Sequence, residues 1–489
     1  MDIYLVAGIL YVAALLGIGI YKSRSVKTQE DFMVAGRKTS WWMLAATLVC
    51  TWIGSGSLFG GAGLAFRMGF SELWMSAGAW LGILIVYFLA HKVRRIGEYT
   101  LSDILEKRYN PAARLLGTSA IILAYLTIAG YQFRGGGRLL NILTGIDPMI
   151  GGAIVCAIAV IFTIAAGLVS VIAIDLFNGI IMTIGVLVAI PLALSAVGGW
   201  ETVSALPPER FAVFGSNDVV WAAGVFLPTL FLLLSEGSMY QKFFSAKDES
   251  TARKAVIGMI VGVVIIESSM CALSVIGSAK YIHLAPFVDA AGATDAATTE
   301  TIVLHLARFD LPVWGGVLLI CAAIAVILST ANSFLMIPAT NVARDIYQRF
   351  INPSVTQEKI IRFQRMTIVI LGIVAFVMAS FFTTILAMAF TAYTMVGAGI
   401  TPALLAAFLW KRVTVPGGVA SIASGMGVTL IITLLNFILP EPVMEADYII
   451  LPAAGASLLA LFVVSLLTQP SPEEKWKPFM TNMNRSTGT

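Results

Sequence analysis

The chain is poor in charge, in histidine and in cysteine, and each shortage closes off a class of function. Only 12% of its 489 residues are charged and 58% are hydrophobic, which is too little polar surface for a water-soluble protein of this length. Its three histidines, His91, His283 and His305, fall at the ends of apolar runs or between them, without metal-ligand spacing. No nucleophile motif accompanies them, so no enzyme constellation is present and the chain does not read as an enzyme. A phosphate-binding P-loop is also missing, which argues against a machine driven by ATP. The four cysteines, Cys50, Cys156, Cys271 and Cys321, all sit in apolar runs and imply neither disulfides nor a zinc site. There are no low-complexity tracts, and the net charge of +4 follows topology rather than marking a nucleic-acid partner.

What the chain has in abundance is apolar runs of about 20 residues, enough to cross a bilayer as helices. The runs predict an all-α polytopic membrane protein with thirteen spans: 3–21, 40–66, 73–92, 115–141, 148–167, 171–197, 219–240, 253–278, 313–337, 364–386, 388–410, 416–438 and 449–468. The first run lacks a basic start and is long enough to stay as a span, so no cleavable signal is expected. Most of the 31 Lys and Arg gather in alternate connections, among them Lys22, Arg37, Arg94, Arg95, Lys242, Lys247, Arg344 and Arg412. By the positive-inside rule these connections are cytoplasmic, which puts the amino terminus outside and the carboxyl terminus inside a cell inner (plasma) membrane. The expected organisation is one transmembrane domain over 1–470 and a cytoplasmic tail over 471–489.

Two spans are interrupted. Span 2 carries Thr51-Trp52-Ile53-Gly54-Ser55-Gly56-Ser57 and then Gly60, Gly61 and Gly63; span 7 carries Pro228 and then Ser235-Glu236-Gly237-Ser238. Glycine and serine at these spacings permit a helix to unwind at mid-membrane depth, which is tolerated only where the backbone lines a cavity or is buried in protein. The breaks open two groups of five spans, 2–6 and 7–11, over 39–197 and 218–411, predicting a 5+5 inverted repeat with helices 2 and 7 broken. Paired broken helices at matching positions point to the binding site of a secondary transporter.

Polar groups inside the remaining spans need partners. Span 9 holds Ser329, Thr330, Asn332 and Ser333, a set of neutral oxygens suited to a desolvated hard cation, or to helix–helix contact. Asp175 in span 6, Glu236 in the span 7 break and Glu267 in span 8 are the intramembrane acids. Arg134 in span 4 is a candidate grip for a substrate carboxylate, or for Glu236 when the site is empty. Glu267 has no assigned partner; a proton-titrating role and a buried hydrogen bond both remain open.

These residues resemble the sodium:solute symporter family, whose members share the LeuT-type inverted-repeat architecture. The resemblance spans roughly 1–470 and rests on Asp31-Phe32-Met33-Val34-Ala35-Gly36-Arg37, Thr51–Gly61, Gly167–Asp175, Tyr240-Gln241-Lys242-Phe243-Phe244, Ser329–Ser333 and Ala343-Arg344-Asp345-Ile346-Tyr347. Within the family, Gln132–Leu140 and the span 2 stretch look most like the pantothenate/sodium symporter branch, although Arg134 and Glu236 depart from that branch. The resemblance implies a first sodium site from the carbonyls of Cys50, Ile53 and Val326 and the hydroxyls of Ser329 and Thr330. It further implies, as in some members, a second sodium at Asp175 and Ser333 with Ser329 nearby, where Asn332 stands in place of the usual hydroxyl.

The reading is a secondary active transporter. It imports a small organic solute, carboxylate-bearing, coupled to Na+ influx by alternating access. Ser55, Ser57, Gln132, Arg134 and Glu236 are the expected substrate contacts. Two alternatives are a proton-coupled symporter or exchanger on the same scaffold and a transporter-like membrane sensor.

Overall fold

A computed structural model describes residues 2–23, 35–96, 98–165, 168–288 and 293–480. Asp31–Val34, Gly167 and the tail residues 481–489 lie outside the described residues. The described chain is helical throughout, with two isolated bridges and no β-strand. That is the form a backbone takes when no water is available to satisfy it.

The principal helices are α1 (Ile3–Ser23), α2 (Trp41–Trp52), α3 (Ala62–Met68), α4 (Leu73–Ile96), α5 (Leu101–Arg108), α6 (Pro111–Thr144), α7 (Pro148–Ala165) and α8 (Leu168–Ala196). They continue as α9 (Val219–Leu234), α10 (Gly237–Ser245), α11 (Glu249–Tyr281), α12 (Val313–Thr340), α13 (Gln357–Ala379), α14 (Ile385–Leu409), α15 (Val415–Ile438), α16 (Ile450–Leu467) and α17 (Glu473–Met480). Among the described residues, eleven helical stretches are long and apolar enough to cross a membrane. The two shorter apolar helices, Trp41–Trp52 and Pro148–Ile164, fall where spans 2 and 5 were expected.

Local chemistry sets the ends. Asn110 Oδ1 accepts from the Ala113 amide, Pro111 opens α6, and Gly145 closes it in the left-handed region at φ 75. The run expected at 364–386 is corrected: α13 begins at Gln357 and stops at Ala379, and Ser380–Thr384 connects it to the next helix. Thr384 then caps α14 through the Ala387 amide at 3.2 Å.

Both breaks are present. After Trp52 the backbone turns extended at Ile53 (φ −74, ψ 104) and regains helical turns, wider than α, over Gly56–Gly61. The second break has Ser235 and Glu236 between α9 and α10, with Glu236 extended (φ −70, ψ 105). α2 packs against α8, α11 and α12, and α10 touches α2, α4 and α12, so the two interrupted regions face one interior. α12 lies between α6 and α8 and is buried from Ala322 to Thr340.

Candidate functional site

The first break exposes backbone oxygens that an unbroken helix would consume. Thr330 Oγ1 lies 3.2 Å from the Cys50 carbonyl oxygen and 3.0 Å from that of Ile53. Ser329 Oγ lies 3.2 Å from the Cys50 and Val326 carbonyl oxygens. Cys50, Ile53, Val326, Ser329 and Thr330 are thus brought to one point, and all five are buried. The cluster contains three carbonyl dipoles and two hydroxyls whose protons can turn away, leaving five neutral oxygens for a hard cation. Gly54 keeps the approach possible: a Cβ there would stand 2.9 Å from both Thr330 Cγ2 and Gln132 Nε2.

Next to this cluster the expected second cation set looks different. Asp175 and Ser333 do come together, but around the ammonium of Lys242. Lys242 Nζ is 3.0 Å from the Thr47 carbonyl oxygen, 3.4 Å from Ser333 Oγ and 3.5 Å from Asp175 Oδ2, and it donates to Thr51 Oγ1. Thr47 Oγ1 donates to the same Asp175 oxygen. Asn332 takes no part: its Oδ1 accepts from Thr163 Oγ1 of α7 at 3.2 Å. Lys242 was expected in a cytoplasmic connection. Its side chain is instead 1% exposed, because α10 resumes before it and carries it inward.

The expected substrate contacts divide. Ser55 and Gln132 meet, the Ser55 amide donating to Gln132 Oε1 at 2.9 Å, and this satisfies a donor left free by the break. Ser57 lies in the same stretch, partly exposed. Glu236 and Arg134 do not meet, which corrects the expectation of a contact between them. Glu236 caps the buried start of α10, accepting from the amides of Ser238 (3.0 Å) and Met239 (2.7 Å) and from the Tyr125 hydroxyl (2.7 Å). Arg134 donates to the carbonyls of Ala379 (3.1 Å), Phe382 and Thr383 (2.6 Å), closing the C-terminal end of α13. With Arg138 it lines a separate cavity of about 420 Å³ beside Phe376 and Phe382.

Sequence reasoning missed an aromatic wall. Glu267 accepts from the indole nitrogens of Trp52 and Trp80, each at 2.8 Å, so its two oxygens are held by two helices. The Trp52 ring stacks near Tyr393 at a centroid distance of 6.3 Å, and the Tyr393 and Tyr131 hydroxyls lie 3.4 Å apart. A Cβ on Gly56 would come within 2.5 Å of the Tyr393 hydroxyl, so the tyrosines rest on the broken helix itself. Trp52 immediately precedes the break, and that position was the available signal. Trp80 and Tyr393 sit in ordinary apolar runs and gave none.

Comparison with known proteins fits this architecture. Residues 32–425 match the family model described as "SSF: Sodium:solute symporter family". The chain is 28% identical over 479 residues to the high-affinity proline transporter PutP of Bacillus subtilis (strain 168), covering 93% of this chain and 96% of that one. It is 26% identical to the sodium/proline symporter of Staphylococcus aureus (strain JH9), with 94% and 91% covered. It is 25% identical to the sodium/glucose cotransporter of Vibrio parahaemolyticus, with 88% and 85% covered. These relatives do not support the pantothenate branch. In three dimensions the chain overlays a substrate-bound, outward-open Na+-coupled sialic acid symporter with a TM-score of 0.80, at 17% identity, over 96% of this chain and 99% of that one. The all-helical fold, the apolar spans and the family match over most of the chain agree: this protein is a multi-pass membrane transporter and belongs to the sodium:solute symporter family.

Proposed function

We propose that this transporter imports a small carboxylate-bearing solute together with Na+, by alternating access across the cell membrane. The observation that carries the reading is the convergence of Cys50, Ile53, Val326, Ser329 and Thr330 on one point at the first break. A sodium ion there bridges α2 to α12, so its binding favours the arrangement that holds those helices together. The solute occupies the neighbouring space between the breaks. Ser57, Gln132 and the Trp52–Tyr393 wall contact it, and its carboxylate faces the sodium and the helical stretch that restarts at Gly56. Ion and solute then raise each other's affinity by the same factor.

In this reading the chain crosses the membrane thirteen times, counting the two shorter apolar helices, with its amino terminus outside and its carboxyl terminus inside. Residues 39–197 and 218–411 are the two halves of the inverted repeat. Proline, which the names of two relatives carry, is the first solute to try.

The test is uptake of proline and other small carboxylates into proteoliposomes. Accumulation driven by an inward sodium gradient is expected. Equal uptake with choline in place of sodium overturns the coupling.

A further inference from the structure

Asp175 and Ser333, expected around a second sodium, meet a different cation here. Lys242 Nζ is surrounded by four oxygens from three helices: the Thr47 carbonyl and Thr51 hydroxyl of α2, Asp175 of α8 and Ser333 of α12. Thr51 Oγ1 gives its own proton to the Thr47 carbonyl at 2.7 Å, which leaves its lone pairs for the ammonium. Both ends of the Lys242–Asp175 pair are 1% exposed. Asn332, which would complete a second ion's shell, is turned to Thr163.

The charge balance points the same way. Asp175 and Lys242 together are neutral. Adding a sodium ion at the same oxygens would press a second cation against the buried ammonium, and the two repel strongly in a low-dielectric interior. The ammonium also makes the connections that an ion would make. It ties the first broken helix to α8 and to α12 one helical turn along from Ser329, and it does so from α10 on the far side of the second break.

We propose that Lys242 is a tethered cation filling the second cation position, so that this transporter binds a single sodium. The residue that removes the second ion site belongs to the chain itself. Without the ammonium, Asp175 would keep a free oxygen, Oδ1, which makes no hydrogen bond, and would sit among the Thr47, Thr51 and Ser333 oxygens. That is a hard, anionic donor set fit for sodium.

The inference rests on sodium binding at the first break, and the test separates the two. Radioactive sodium bound at saturation is counted per molecule of purified full-length protein, with sodium as the only ligand. The wild type is expected to hold one ion. Lys242→Met is expected to hold two, a doubling, and the double variant Lys242→Met/Asp175→Asn one again. Should Lys242→Met not fold, Lys242→Gln carries the same expected doubling. Two ions on the wild type overturn the proposal, as does a folded Lys242→Met or Lys242→Gln holding one. Two ions on the double variant overturn the placement at Asp175. No ion on the wild type overturns the sodium site itself.

Discussion

Thr330 Oγ1 lies 3.0 Å from the Ile53 carbonyl oxygen across 277 residues of chain, and this short contact closes α12 onto the broken end of α2. The carbonyl is free only where α2 unwinds, and the hydroxyl is useful only opposite such a carbonyl. Thr330→Ala or Ser329→Ala deletes one of five oxygens and should weaken sodium by about 1–2 kcal/mol, roughly 5–30-fold in the concentration giving half-maximal uptake. A sodium titration of solute uptake measures it; an unchanged midpoint in both variants removes these residues from the site.

Gly56 faces the Tyr393 hydroxyl so closely that a methyl group would stand 2.5 Å from it. Gly56→Ala should impair uptake by displacing the tyrosine wall. Gly56→Ala/Tyr393→Phe, which removes the opposing oxygen, should recover part of the loss. A double variant no better than Gly56→Ala places the damage in the backbone of the break instead.

Arg134 holds carbonyls, not a carboxylate. Arg134→Ala should lower the melting temperature, the loss corresponding to about 1 kcal/mol for three carbonyls, from buried to exposed, left without their donor, while the half-saturating solute concentration stays within about twofold. A large rise in that concentration at unchanged stability would return Arg134 to the substrate site. Glu236→Ala should cost about 1–2 kcal/mol through loss of the α10 cap. Glu236→Gln, which keeps an accepting oxygen, should cost less, and thermal melts of the two variants side by side decide it.

Asp103 of α5 joins Arg114 (2.6 Å) and Arg344 (3.3 Å), and Arg114 also binds Asp345 and Glu106. Burial alone would raise the Asp103 carboxyl. Arg344, Arg114 and the amides of Tyr99 and Thr100 outweigh it and hold the group below the ordinary carboxylate range. A depressed folded value means stabilisation that is present above the unfolded value, about 4, and lost as pH falls through the lower folded value. The melting temperature should therefore fall below about pH 4 in the wild type. Asp103→Asn should melt lower at neutral pH and show a shallower fall; parallel curves would assign the acid sensitivity elsewhere.

The sequence carried the long apolar elements and both interruptions, because apolar run length and glycine–serine clusters are local properties. The span 9 oxygens were legible for the same reason: Ser329 and Thr330 stand out against hydrocarbon. What the sequence could not carry was which distant groups satisfy each charge. Lys242 looked like one of many cytoplasmic basic residues, since nothing local says that α10 turns it inward. Arg134 and Glu236 look complementary, yet each finds backbone partners closer at hand, at helix ends whose carbonyls or amides lack partners within the helix. Glu267 acquires its indole partners only when Trp52, Trp80 and α11 are brought together in space.

The two breaks are capped differently. At the second, the Glu236 carboxylate spends both oxygens on the amides of α10 and on Tyr125, so that joint is internally saturated. At the first, one amide is borrowed by Gln132, while the carbonyls of Cys50 and Ile53 meet only hydroxyls that can rotate away. One joint is sealed and the other can be loaded. The two breaks therefore differ in valence: an ion held by the Cys50 and Ile53 carbonyls would stiffen the first and leave the second as it was.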